Sequence, residues 1–249
     1  MKFLAPLLAA LALASCAAVE KPRALIPTET VAARAPGAAT RMVIVLPGRG
    51  DDLGALRETG MVKAIQDGMP DAEVVLVELT MPYYVEGRSV QRLHEEVVLP
   101  ARKRGIRDIY LVGASMGGMG TLLYEREFPG QMKAIVLMAP YMGDGRIIGE
   151  IKAAGGLTQW RPGPVPAKVD GDNVAREEWR LAQSWIGNPG RARDVWLICG
   201  DQDSFYPAAQ MIAPLLPAQN TMAPAGGHAW RVWTPAAAEV FKRFGAAKR

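Results

Sequence analysis

The sequence predicts an α/β fold, a mostly parallel sheet flanked by helices, and three observations support that expectation. Short, continuous apolar runs recur from residue 41 onward, without the alternation of a half-exposed strand. Stretches with one apolar face at helical spacing stand between them. The two kinds alternate along the chain, which implies parallel strands joined by helical crossovers.

In chain order, the first residues stand outside that rhythm. Met1-Lys2 precedes the apolar run Phe3 to Ala14, and small residues lead to Cys16. A charged start, an apolar stretch too short to span a bilayer and a small-residue cleavage zone predict a signal peptide over 1–15. Leu13-Ala14-Ser15-Cys16 resembles the lipobox of bacterial lipoproteins. That resemblance implies cleavage before Cys16, a lipidated Cys16 and a membrane as partner. With Ala17 rather than Asp next, it implies the outer membrane of the cell envelope. An ordinary signal peptide that contains a cysteine is the alternative. Residues 16–40, rich in Ala, Pro and Thr, read as a flexible tether. With Cys16 committed to lipid, Cys199 has no partner in the chain, and no disulfide framework is expected.

The domain is expected over 41–249. Its strands fall at 42–48, 72–79, 109–114, 133–140 and 195–200, with a weaker one at 220–226. Helices are expected over 55–68, 89–104, 116–128 and 235–247; Val90, Leu93, Val97 and Ala101 mark the apolar face of the second. The interval 141–193 breaks the alternation. At roughly fifty residues it far exceeds the usual α/β connection, so an inserted cap is predicted. A net charge of +4, without a long basic run, argues against nucleic acid as a partner.

The stretch LVGASMGGMG (111–120) carries the chemistry. It is no P-loop, because Gly113 and Gly118 are followed by Met119 rather than Lys, and no register supplies G-x-G-x-x-G. Gly113-Ala114-Ser115-Met116-Gly117 matches G-x-S-x-G at a strand-to-helix junction, which makes Ser115 a candidate nucleophile. A serine needs a base. Of the two histidines, His94 lies inside a helix and reads as structural, whereas His228 follows the last strand. The turn after 195–200 offers Asp201 and Asp203 to orient the imidazole. The order Ser, Asp, His differs from that of chymotrypsin-like and subtilisin-like enzymes.

On these residues, the segment from about 41 to 244 resembles the α/β-hydrolase superfamily, a serine-esterase-like member with a cap after its sixth strand. In that family the acid commonly fits G-x-x-D with a proline four residues on; Gly200 to Asp203 and Pro207 match this, and Asp201 reads as a turn cap. The resemblance implies an oxyanion hole from the N–H groups of Met116 and Arg49, where Pro47-Gly48 replaces the family's frequent His-Gly. It implies a Ser115–His228–Asp203 hydrolase that cleaves a small-molecule carboxylic ester through an acyl-enzyme, without a cofactor; two histidines and no Cys cluster leave zinc without a ligand set. Thioester hydrolysis or acyl transfer by the same triad remains an alternative. So does a non-catalytic envelope lipoprotein of this fold, because fold alone does not fix function. Trp160, Trp179 and Trp185 read as either an acyl pocket or, more simply, the cap's own core. Tyr83 and Tyr84 are candidates for the rim, and Arg88, Arg146 and Arg161 read as solvated.

Overall fold

The computed structural model describes residues 21–37 and 39–246; the expected signal peptide and Cys16 lie outside the described residues. Seven strands form one sheet: β1 (Thr28–Val31), β2 (Arg41–Leu46), β3 (Ala72–Val77), β4 (Asp108–Ala114), β5 (Ala134–Met138), β6 (Val195–Ile198) and β7 (Thr221–Met222). Their order is β1-β3-β2-β4-β5-β6-β7, parallel throughout except that β1 runs antiparallel to β3. The strands β2, β3, β5 and β6 are buried at every position, as the apolar runs predict, because helices flank the sheet.

The helices are α1 (Leu53–Glu58), α2 (Met61–Gly68), α3 (Met81–Glu86), α4 (Ser89–Leu93), α5 (Leu99–Lys103), α6 (Met116–Glu127), α7 (Gly145–Ala153), α8 (Val174–Ser184), α9 (Pro189–Ala192), α10 (Tyr206–Ile212) and α11 (Trp230–Ala246). The strand expected over 220–226 shrinks to the two residues of β7, α3 and α10 were not expected, and three expected helices differ in extent or continuity. The helix read over 55–68 is two helices, because Gly60 takes φ +75° between α1 and α2. The helix read over 89–104 contains a π-helical turn, His94–Val98, ahead of Pro100, which has no N–H to donate to the preceding turn. The last helix starts at Trp230 rather than 235: the N–H groups of Val232 and Trp233 donate to Ala229 O at 2.9 and 3.2 Å, and Pro235 is carried inside. No helix of the described residues is long and apolar enough to cross a membrane.

The described part of the expected tether is not free chain. β1 pairs with β3 from Thr28 opposite Val77 to Val31 opposite Val74. Ile26 is buried, and its N–H donates to Glu96 Oε2 at 2.7 Å. Arg92 Nη2 donates to the carbonyls of Arg23 and Ala24, both at 2.9 Å, and Gln66 Nε2 to Ala32 O at 2.7 Å. The strand has the sequence TETV and half-exposed alternation. A short polar edge strand of this kind lacks the continuous apolar run by which the others are recognised.

The inserted cap leaves β5, the fifth of the described strands, and carries α7, α8 and α9 before β6. Its three tryptophans form its core: Trp160, Trp179 and Trp185 are all fully buried. Trp179 Nε1 donates to Met142 O at 2.9 Å, and Trp160 Nε1 to Glu150 Oε1 at 2.8 Å. The buried Glu177 of α8 accepts from Arg126 of α6 at 3.0 Å, which ties the cap to the helix that follows Ser115.

Candidate active site

Ser115 stands between the C-terminal end of β4, the middle strand, and the first residue of α6. Its backbone takes φ 53° and ψ −113°, in the left-handed half of conformational space that a serine rarely adopts. Neighbouring main chain holds it there. Its N–H donates to Met138 O at 2.8 Å, and its carbonyl accepts from Tyr141 N at 3.0 Å and Met119 N at 3.1 Å. The turn also needs bare glycine on both sides. A Cβ on Gly113 would lie 2.1 Å from Gly117 O, and one on Gly117 would lie 2.6 Å from Pro47 O. Ser115 is half-buried among fully buried neighbours. This is the strained strand-to-helix turn that lifts a serine hydroxyl out of a sheet.

Two loops bring His228 and Asp203 together. Asp203, 4% exposed, accepts from His228 Nδ1 through Oδ1 at 2.9 Å and Oδ2 at 2.8 Å, and its Oδ1 also accepts from Phe205 N at 2.9 Å. A carboxylate can only accept, so Nδ1 carries a proton toward it, and in the neutral imidazole Nε2 is the nitrogen left with a lone pair. The imidazole lies edge-on to Phe205 at 4.9 Å and to Trp233 at 4.7 Å, with 33% of the side chain open to solvent. Phe205 in turn meets the ring of Tyr141 at 5.7 Å, and Tyr141 is the residue whose N–H binds Ser115 O. A short chain of contacts therefore runs from the serine turn to the imidazole.

Asp201 has a different task. Its Oδ1 accepts from Gly226 N at 2.9 Å, its N–H donates to Pro224 O at 3.0 Å, and Gln202 N donates to Gly226 O at 3.0 Å. These bonds stitch the turn after β6 to the loop that carries His228.

Sequence reasoning missed Asp51. Its Oδ2 accepts from Gly48 N at 3.0 Å and from Trp230 Nε1 at 2.9 Å, clamping the loop after β2 to the first residue of α11. A Cβ on Gly48 would come within 3.9 Å of Ser115 Cβ, so this clamp fixes the main chain beside the serine. The signal was present in part: Asp side chains in loops commonly hydrogen-bond backbone groups a few residues away. Its second partner was not legible. Arg49, next in this loop, has an exposed side chain, whereas Met116 is buried at the first turn of α6.

Other candidates fall outside this group. His94 Nδ1 lies 2.8 Å from Tyr124 OH and its ring stacks on Phe128 at 4.0 Å, a structural role. Arg146 pairs with Asp144 at 2.8 Å and Arg88 with Glu95 at 3.6 Å, while Arg161 donates to nearby carbonyls of its own loop. Cys199 is buried, and that burial pushes its thiol up to about 12, which removes it as a competing nucleophile.

A mostly parallel seven-stranded sheet with flanking helices, a strained serine ending its middle strand and a cap inserted after β5 defines the α/β-hydrolase fold. Solved structures of that fold resemble the chain. The esterase Est1E from Butyrivibrio proteoclasticus is 19% identical, with 90% of this chain and 95% of that one covered at a TM-score of 0.60. The fluorophosphonate-binding serine hydrolase F of Staphylococcus aureus is 13% identical over 89% of this chain and 99% of that one, also at 0.60. An S-formylglutathione hydrolase from Agrobacterium tumefaciens is 14% identical over 88% and 89%, again at 0.60. The sequence matches no protein-family profile and no curated protein.

Proposed function

We propose that this protein is a serine hydrolase that cleaves a small-molecule carboxylic ester. The observation that carries the reading is the bond from His228 Nδ1 to the buried Asp203 in the loops beside the strained Ser115 turn. That bond leaves Nε2 as the free base. In the proposed reaction Nε2 takes the proton of Ser115 Oγ as Oγ attacks the acyl carbon. The alcohol departs with that proton, leaving an ester on Ser115. Water then attacks, giving its proton to Nε2, and the acid is released as Oγ regains a proton. The N–H groups of Met116 and Arg49 stabilise the oxyanion; Met116 N opens a helix, where it has no partner within the helix. Turnover of short chromogenic esters by the protein and by its Ser115→Ala variant tests this. The expected loss is at least a thousandfold; equal turnover by a folded Ser115→Ala variant would refute the reading.

We also propose that a lipidated Cys16 anchors the enzyme to the outer membrane of the cell envelope. The support is the Leu13-Ala14-Ser15-Cys16 motif. Metabolic labelling with an alkynyl palmitate analogue, lost in Cys16→Ala, is the expected outcome; label retained in that variant contradicts it.

A further inference from the structure

Of the seven large apolar side chains exposed among the described residues, four gather around α3: Leu25, Met81, Val85 and Val165, at 71, 40, 68 and 65%. The helix follows β3 and so lies at the C-terminal ends of the parallel strands, the end that also holds Ser115. Met81 and Val85, four residues apart, share one side of α3. Both line a cavity beneath the cap together with Pro166 and Lys168, so Val165 borders the same depression. A Cβ on Gly87, just past α3, would lie 3.5 Å from Lys168 Nζ. The rest of the helix turns inward: Tyr83 is buried, and a Cβ on Gly120 of α6 would lie 2.1 Å from the Tyr84 hydroxyl.

The chain entering the fold runs along the other flank of α3. Arg92 lies over the Tyr83 ring at 4.9 Å, and its Nη2 donates to the carbonyls of Arg23 and Ala24. Leu25 follows at once, and Lys21 stands two residues before Arg23. A cluster of exposed apolar side chains on one face marks an interaction surface, because water meets each of them at a cost. The neighbouring charges indicate its partner. Guanidinium groups already hold Glu78, Glu86 and Glu95, through Arg23 at 3.8 Å, Arg92 at 3.4 Å and Arg88 at 3.6 Å. Asp170 Oδ1 accepts from Asp172 N at 3.1 Å. That leaves the exposed Lys21 and Lys168 to meet anionic groups. Apolar side chains flanked by lysines suit the boundary between phospholipid headgroups and acyl chains. Sequence distance points the same way: Cys16 is five residues from Lys21, a reach of about 18 Å at most.

We propose that this face docks on a phospholipid bilayer, with Leu25, Met81, Val85 and Val165 in the headgroup region and Lys21 and Lys168 against lipid phosphates. The cavity beneath the cap then opens toward the membrane. The surface needs neither the ester chemistry nor a lipid on Cys16; a lipid there would hold it at the bilayer.

The test is tryptophan quenching in the full chain reconstituted with vesicles of dibrominated phosphatidylcholine and phosphatidylglycerol. Val85→Trp sets an indole in the patch. Lys133→Trp sets one on an exposed residue just ahead of β5, at the opposite end of the sheet. Quenching beyond that of the unsubstituted chain is expected for Val85→Trp and not for Lys133→Trp. Adding Leu25→Glu to Val85→Trp should reduce it severalfold with Tm unchanged, because an exposed leucine contributes to docking and not to the core. Equal quenching at the two positions, quenching at neither, or quenching indifferent to Leu25→Glu would overturn the proposal. So would a dimer that Val85→Glu dissociates, which would give this face to a second copy of the chain.

Discussion

Ser115 holds a backbone conformation that costs of order 1–3 kcal/mol, and three main-chain hydrogen bonds keep it there. Ala139 shares a positive φ without a reactive side chain, so the role of Ser115 rests on its hydroxyl and its neighbours rather than on strain alone. Asp203 orients His228, whereas Asp201 ties two loops together. Asp203→Asn should therefore lower kcat by about three to four orders of magnitude, by holding the wrong imidazole tautomer. Asp201→Asn should lower thermal stability and leave kcat within about tenfold; ester kinetics on both variants separate the roles, and equal losses would contradict the assignment. Cys199, with its thiol pushed up to about 12, should resist iodoacetamide at pH 8 until the protein is unfolded, as intact mass would register. Much of this was legible at the residue scale, because G-x-S-x-G and G-x-x-D are local patterns and a chain with two histidines offers few bases. Asp51 was not, because its partner Trp230 is 179 residues away and only the folded sheet ends bring them together.

At the scale of elements, the strands with continuous apolar runs were legible and β1 was not, since an edge strand buries only part of its surface. Its stabilisation comes from partners distant in sequence: β3 for its backbone, and Arg92 and Glu96 for the chain leading into it. Ile26→Ala should consequently cost about 2–4 kcal/mol in denaturant unfolding, as truncation of a buried isoleucine does. No change would mean that this stretch behaves as a tether after all. The tight packing of β4 on α6 makes a second prediction. Gly113→Ala places a methyl against Gly117 O and should cost about 3 kcal/mol or more, read in the same way. The broken helices were illegible for a local reason: Gly60 inside one apolar pattern and Pro100 inside another each leave the helical spacing intact.

Across the whole molecule, the cap packs on the sheet layer through α8 on α6, tied by Arg126 to Glu177, and the neighbouring Glu178 of α8 is buried. Its carboxyl is raised well above 4.5 by burial, so the folded chain keeps a proton that the unfolded chain releases. Stability from this group is complete below about pH 4.5 and falls as pH rises toward its folded value. Glu178→Gln should accordingly stabilise the protein more at pH 8 than at pH 4, as thermal unfolding at both would report; an equal gain at the two would mean that Glu178 is not held neutral. The fold as a whole was legible because alternating apolar runs and helices admit few arrangements. The cap's internal packing was not, since Trp160, Trp179 and Trp185 fit a ligand pocket or a core equally well by spacing; full burial places them in its core.

If Ser115 is an activated nucleophile, it reacts covalently with an electrophilic phosphorus. Intact mass of the protein after exposure to a fluorophosphonate, beside its Ser115→Ala variant, reads that reaction. One phosphonyl adduct per chain, mapped to Ser115, is expected, and none on the variant. A folded protein that takes no adduct, or an adduct that persists in Ser115→Ala, would contradict it.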